Sequence, residues 1–194
     1  MNRTQLEHAI RASTTILAQD RVIVVGSQSI LGTWEAHELP DEATASVEVD
    51  VCPMHDDDAE SLADVLDGAI GELSDFHQTH GFYIQGVGRT TSRLAPGWVD
   101  RLVPVTGPGT QGATGLCLDP DDLCAAKILA HREKDQEFVR ALIVHQMVDP
   151  NVVLERVELT DVPEEVRDVA VRWLVPHCAH WDALGLATVP RGAR

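Results

Sequence analysis

Several features are scarce in this 194-residue sequence, and each scarcity removes a class of protein. The four cysteines (Cys52, Cys117, Cys124 and Cys178) form no CxxC pair and no close zinc-like spacing, so reduced, mostly buried thiols are expected. No apolar run approaches the roughly 18 to 20 residues that a membrane helix needs. The N-terminal stretch MNRTQLEHAIRASTTILAQD is polar and amphipathic, without the continuous apolar region of a signal peptide, and a soluble cytoplasmic protein without membrane contact is expected. Basic residues are few: 15 Lys and Arg stand against 31 Asp and Glu, a formal charge of −16. That balance argues against indiscriminate binding to polyanions, so a nucleic-acid substrate would need a local basic patch. The glycine-rich stretches GVGRTTSR and TGPGTQGATG lack the GK[ST] of a phosphate-binding Walker A loop.

What is present is a chain long enough to bury a core, with 44% hydrophobic residues and no internal repeat. Leu6, Ile10 and Leu17 recur at helical spacing within residues 4–19, with Thr4 as a cap. Arg21 to Val25 is a short apolar strand. GSQSILGTW then reads as a strand-to-helix turn, in which Gly26 allows the tight backbone and Ser27 caps the new helix. Residues 46–52 alternate S-V-E-V-D-V-C, a strand with Val47, Val49 and Val51 on one face and Glu48 and Asp50 on the other.

The segment HDDDAESLADVLDGAIGELSDFHQTHG predicts one amphipathic helix with Leu62, Val65, Leu66, Ile70, Leu73 and Phe76 as its apolar stripe. GFYIQGVG and WVDRLVPV predict two strands joined as a hairpin through RTTSRLAPG, and LCL predicts a short final strand. Two helical stretches follow, DPDDLCAAKILAHREKDQEFVRALIVHQM and PEEVRDVAVRWLVPHCAHWDAL. The expected architecture is α/β (α+β): a mixed-sheet core over residues 1–120, with a helical part over residues 121–194 packed on it as a single unit.

Three pieces carry chemistry. Glu48 and Asp50 lie roughly 6 to 7 Å apart along their strand. Such a pair either forms the solvent face of a half-buried edge strand or shares divalent cations that clamp the oxygens of a phosphoryl transfer. The Gly26-Ser27 turn is either ordinary capping or a set of free N–H groups and a hydroxyl presented to a phosphate. From Lys127, at 100° per residue, Ile128, Phe138, Val139, Leu142 and Ile143 fall in one stripe about 140° wide. His131, Arg132 and Asp135 fall inside it, and Lys127 lies at its margin. Charges on a buried stripe are either an internal Arg132–Asp135 pair or a helix break near Glu133, or they face a nucleotide in a cleft.

At these residues the sequence resembles a family. VVGSQSILG…ASVEVDV is similar to the first motif of the nucleotidyltransferase superfamily, Gly-Ser followed by an acidic D/E-x-D/E strand. DDLCAAKILAHREKDQEFVRAL resembles the later K-x-x-A-x-R-x-K-D segment of bacterial AbiEii/MenT-like toxin-type proteins. Together they span most of residues 20–145. The resemblance implies a minimal nucleotidyltransferase fold using Mg²⁺ and a nucleoside triphosphate (NTP), with the tRNA 3′ end as acceptor and a cognate antitoxin as partner. By position it implies that Gly26 and Ser27 hold phosphate and Glu48 and Asp50 metal. Lys127 would meet the triphosphate, with Arg132 and Asp135 completing the site. Two features depart from the pattern: Glu48 stands where Asp is usual, and the gap from Ser27 to Glu48 is longer. Asp100 is the one candidate for a third carboxylate. These departures point to a second class, a catalytically weak or inactive member that binds a nucleotide or a protein partner.

Other signals read as structure. HDDD (residues 55–58) complements a helix dipole. His77 with His80, and His177 with His180, lack the cysteine or acidic ligands of a zinc site and read as packed or surface histidines. Arg89 and Arg93 remain as a local basic patch for an RNA end.

Overall fold

The computed structural model describes residues 1–55 and 61–188. Helix α1 (Arg3–Leu17) begins two residues earlier than a cap at Thr4 would set it. Asn2 is the cap: its side chain accepts from Gln5 N–H, while the Gln5 side chain accepts from Asn2 N–H, both at 3.0 Å. Leu6, Ala9, Ile10 and Leu17 form its buried face.

Strands β1 (Arg21–Val25), β2 (Glu48–Pro53), β3 (Tyr83–Gly86), β4 (Val103–Val105) and β5 (Thr114–Cys117) form one mixed sheet in the order β3-β2-β1-β5-β4. Strand β1 is central, antiparallel to β2 and parallel to β5. Val22 to Val25 are all buried, as expected of a strand covered on both faces. Helix α1 packs across β1, β2, β3 and β5. Its approach is close because β5 carries Gly115 there, where any side chain would overlap Ile10.

The hairpin predicted between GFYIQGVG and WVDRLVPV does not form. Strand β3 is one edge of the sheet, parallel to β2, and β4 is the other edge, antiparallel to β5. The hairpin is instead β4–β5, and RTTSRLAPG belongs to a connection that runs from one edge of the sheet to the other. WVDR is a 3₁₀ turn (Trp98–Arg101) rather than strand.

Two predicted long helices are each broken. The first is α3 (Ser61–Ile70) and α4 (Asp75–His80), separated by a turn in which Leu73 has φ 64° and is 79% exposed. Ser74 restarts the chain by accepting from His77 N–H at 3.1 Å, so the capping signal of SDFH outweighs the apolar stripe. The part of that prediction over residues 56–60, including Asp56, Asp57 and Asp58 of HDDD, lies outside the described residues. The second is α5 (Pro120–Ala130) and α6 (Glu133–Val144), broken at His131 with φ 54°. Helix α7 (Pro150–Leu159), absent from the sequence reading, starts at Asp149, which accepts from Asn151 N–H at 2.8 Å, with Pro150 in the first turn. Helix α8 (Glu164–Leu184) follows.

The C-terminal helices share the core of the sheet: Ile23, Val51 and Ile30 belong to the same buried cluster as Ile128, Val153, Leu174 and Trp181. Asp122 of α5 is fully buried and bound by Arg101 at 2.7 and 2.8 Å, which ties the inter-edge connection to the helical part. All four cysteines are buried thiols, none in a disulfide. Burial pushes the thiols of Cys117 and Cys178 up, to about 12 and about 11.

Two glycines test this packing in opposite directions. Gly86 of β3 lies against α3, and a Cβ there would overlap the Ala63 carbonyl, which is backbone and cannot swing away. Gly68 of α3 faces open space. Gly86→Ala is expected to destabilise by about 1–3 kcal/mol through overpacking, and Gly68→Ala to stabilise by about 0.5–1 kcal/mol. Chemical denaturation of both variants checks the sign of each.

Candidate active site

Strand β1 ends at Val25, whose register partner on β2 is Asp50. Gly26 follows with φ 63° and ψ −170°, a conformation that penalises side chains. A Cβ on Gly26 would also overlap the Asp50 carboxylate. Gly26 therefore supplies the turn and the space in which Asp50 sits. The element after it is a six-residue 3₁₀ helix, Ser27–Gly32, capped by Gly26 without a side-chain bond. Ser27 is thus its first residue and not its cap. The segment is too short for the helix-dipole argument, which leaves the Ser27 hydroxyl and the turn's N–H groups as the groups that could donate to a phosphate.

Gln28, which the sequence reading passed over, is fully buried and donates from Nε2 to the Ser46 carbonyl at 3.1 Å. Ser46 Oγ in turn accepts from Glu48 N–H at 3.1 Å. The start of β2 is held to the Gly-Ser segment by this relay, whose only signal in the sequence is a polar residue inside GSQSILG.

Alternation on β2 buries Val49 and Val51 on one face and leaves Glu48 and Asp50 half-buried on the other. Val47 lies just before the strand and is exposed. The two carboxyls act on each other, and Glu48 Oε2 accepts from the Tyr83 hydroxyl at 3.2 Å. Burial, and next the charge and hydrogen bond of Glu48, push the Asp50 carboxyl up to about 7 against the pull of Lys127 and Arg132. Burial, then the Glu48 charge, also pushes the Tyr83 phenol up to about 12.

Opposite the acidic pair stand α5 and α6. Lys127, expected at the margin of the apolar stripe, is buried and donates to Asp135 Oδ1 at 2.7 Å. Its Nζ lies 4.6 Å from the centre of the Phe138 ring. Arg132, 62% exposed, donates from Nε to Asp135 Oδ2 at 2.6 Å. The shared-stripe geometry fails because the chain turns at His131, which leaves that residue exposed. The turn nevertheless brings Lys127 and Arg132 onto one carboxylate. Burial pushes Asp135 upward, but the bonds from Lys127 and Arg132 outweigh it and hold the group below its ordinary range.

A cavity of about 650 Å³ is lined by Gly26, Ser27, Glu48, Asp50, Lys127, Arg132 and Asp135, all seven residues singled out in the sequence. Arg93 and Lys134 also line it, with Glu42 of the short helix α2 (Asp41–Thr44). Asp100 is exposed on the Trp98–Arg101 turn and does not line it. Arg89 donates to the Met54 carbonyl at 3.1 Å and stays outside the lining. Among the described residues no group of three or more His, Cys, Asp or Glu forms a metal-binding cluster. The donor set is therefore two carboxylates, and Mg²⁺ is commonly held by one or two carboxylates together with substrate phosphates. The Glu48–Asp50 pair fits such an ion, because a cation shared by the two carboxyls would relieve the repulsion between them.

The mixed sheet, the Gly-Ser turn and the acidic strand beside it are those of a nucleotidyltransferase fold. A family model described as "Nucleotidyltransferase of unknown function (DUF6036)" matches residues 4–181, and the chain belongs to that family. No curated protein and no solved structure matches the chain. No helix among the described residues is long and apolar enough to cross a membrane.

The electrostatics generate two tests. Asp50 in the folded chain titrates at about 7 against an ordinary 3.8, so it costs stability progressively as pH rises through that interval. Asp50→Asn should melt above wild type at pH 8, with the gap closing as pH falls from about 7 toward 4; a constant gap would refute the assignment. Asp135→Ala leaves the Lys127 ammonium buried and unpaired, and should cost about 3–5 kcal/mol in urea denaturation. Lys127→Met should cost less, because Arg132 still neutralises Asp135; the reverse order would contradict the clasp.

Proposed function

We propose that this nucleotidyltransferase-family protein uses Mg²⁺ to transfer a nucleoside monophosphate from an NTP to an acceptor hydroxyl. The tRNA 3′ end is the proposed acceptor, and an AbiEii/MenT-like toxin of a toxin–antitoxin pair the proposed setting. The observation that carries the transfer reading is the convergence of an acid pair, a Gly-Ser turn and two cations on one cavity.

Each residue has a task in that reading. Glu48 and Asp50 would hold Mg²⁺, whose chemistry there is activation of the attacking hydroxyl and neutralisation of charge on the leaving pyrophosphate. Gly26 keeps the backbone low so that phosphate can approach, and Ser27 offers a hydroxyl donor. Lys127 supplies positive potential from a buried position. Arg132 uses Nε on Asp135, which leaves its outer nitrogens to grip phosphate oxygens. Asp135, bound by both cations, acts by orienting them. Arg93 and Lys134 are exposed on the cavity lining and give an otherwise acidic chain a local positive edge for an RNA end.

A second reading, nucleotide or partner binding without transfer, is favoured by Asp135 engaging both cations and by Glu48 standing in the aspartate position. One experiment separates the two. The protein is incubated with each labelled NTP, Mg²⁺ and total tRNA, beside Asp50→Ala. Labelled RNA is expected from wild type, with a loss of about 100-fold or more in the variant, the scale of removing several kcal/mol of charge stabilisation. NTP binding without any labelled product would establish the second reading. Label on protein would move the acceptor from RNA to a protein hydroxyl.

A further inference from the structure

Glu48 presents a physical problem. Its carboxyl hangs on one more rotatable bond than aspartate would give it, on a strand whose other carboxyl, Asp50, is already fixed against Gly26. A ligand with that extra freedom loses entropy when it binds an ion, unless the protein fixes it beforehand.

The neighbouring strand supplies the fixing group. Tyr83 is the register partner of Glu48 across the parallel β2–β3 pair. Its hydroxyl donates to one carboxylate oxygen, Oε2, at 3.2 Å. A hydroxyl at that position meets the end of a glutamate, and an aspartate, one methylene shorter, would fall short of it. The Tyr83 ring is itself backed by His77, with ring centres 4.9 Å apart and planes at 49°. His77 is held in turn, because its Nδ1 accepts the Leu73 N–H at 3.1 Å. That bond puts the proton of a neutral ring on Nε2. The left-handed turn at Leu73 thus connects through His77 and Tyr83 to the Glu48 carboxyl.

We propose that Tyr83 is a positioning residue that fits the longer Glu48 to the cation site, making Glu48–Tyr83 the working equivalent of an aspartate ligand. This rests on the reading of the Glu48–Asp50 pair as the Mg²⁺ site. Tyr83 engages Oε2 alone, so the hydroxyl orients one oxygen and would leave Oε1 for the metal. Removing the hydroxyl frees the carboxyl to rotate while leaving its charge in place.

The test uses Mn²⁺ as the probe, followed by the loss of its free-ion electron paramagnetic resonance signal on titration with the full-length chain. Tyr83→Phe is expected to weaken Mn²⁺ binding about tenfold, the scale for losing a partner that orients a metal ligand. Its melting temperature without metal should stay close to wild type. In a Glu48→Asp background the same change should alter affinity less than twofold, because the shorter side chain makes no bond to Tyr83. Unchanged Mn²⁺ affinity in Tyr83→Phe, or a tenfold loss in both backgrounds, overturns the proposal. The single variant decides alone where Glu48→Asp binds too weakly to measure. Wild-type protein that binds no Mn²⁺ removes the cation site and the Tyr83 role together. Wild type that binds while Tyr83→Phe binds equally removes only the latter.

Discussion

Two carboxylates held two residues apart on one face of β2, half-buried and acting on one another, are the constraint around which the rest of this molecule is arranged. Left unopposed, a second ionised carboxyl there costs free energy in proportion to its burial. The observed arrangement meets that cost in three ways: an Asp50 carboxyl raised to about 7, the Tyr83 hydroxyl on Glu48, and the positive charges of Lys127 and Arg132 across the cavity. None of these is needed for the sheet to form. A solvent-facing edge would have met the same constraint with water alone, and β2 is instead an interior strand of the sheet.

The helical C-terminal part is consequently a component of the site and not an appendage. Lys127 belongs to α5, Arg132 and Asp135 to the start of α6, and they meet because the chain turns at His131. A continuous helix would have placed Arg132 and Asp135 near one another but carried both along the axis away from the Lys127 turn, at 1.5 Å per residue. Breaking the helix costs backbone hydrogen bonds and places a non-glycine residue at positive φ, a strain of order 1 kcal/mol or more. The Asp135 clasp on both cations offsets it, and the same turn aims them at the acidic pair.

Legibility from sequence followed the range of the signal. Alternation over S-V-E-V-D-V-C placed Glu48 and Asp50 on one face because period two is a local property of a strand. The Gly-Ser turn was legible because glycine answers a local backbone demand. The hairpin was misplaced because strand pairing depends on which segments meet across the sheet, and β3 and β4 are each short enough to pair elsewhere. The two long helices were over-read because apolar periodicity persists across Leu73 and His131, while the breaks depend on caps at Ser74 and on the Asp135 clasp. Gln28 and Tyr83 left almost no trace. Each acts on a residue distant in sequence, so its role exists only once β2 has neighbours.

The acidity of the chain also acquires a physical meaning in the fold. With 31 acidic against 15 basic residues, most of the surface repels phosphate, whereas the cavity lining holds Arg93, Lys127, Arg132 and Lys134 against Glu42, Glu48, Asp50 and Asp135. A balanced pocket in a field of negative charge attracts a polyphosphate only at short range, where screening over about 8–10 Å has removed the rest of the surface. Its own carboxylates then set a further condition: an anion can approach Glu48 and Asp50 only in company with a cation. On the proposed reading, phosphate binding and metal binding in this cavity are therefore one coupled event, which would select a metal–nucleotide complex over either component alone.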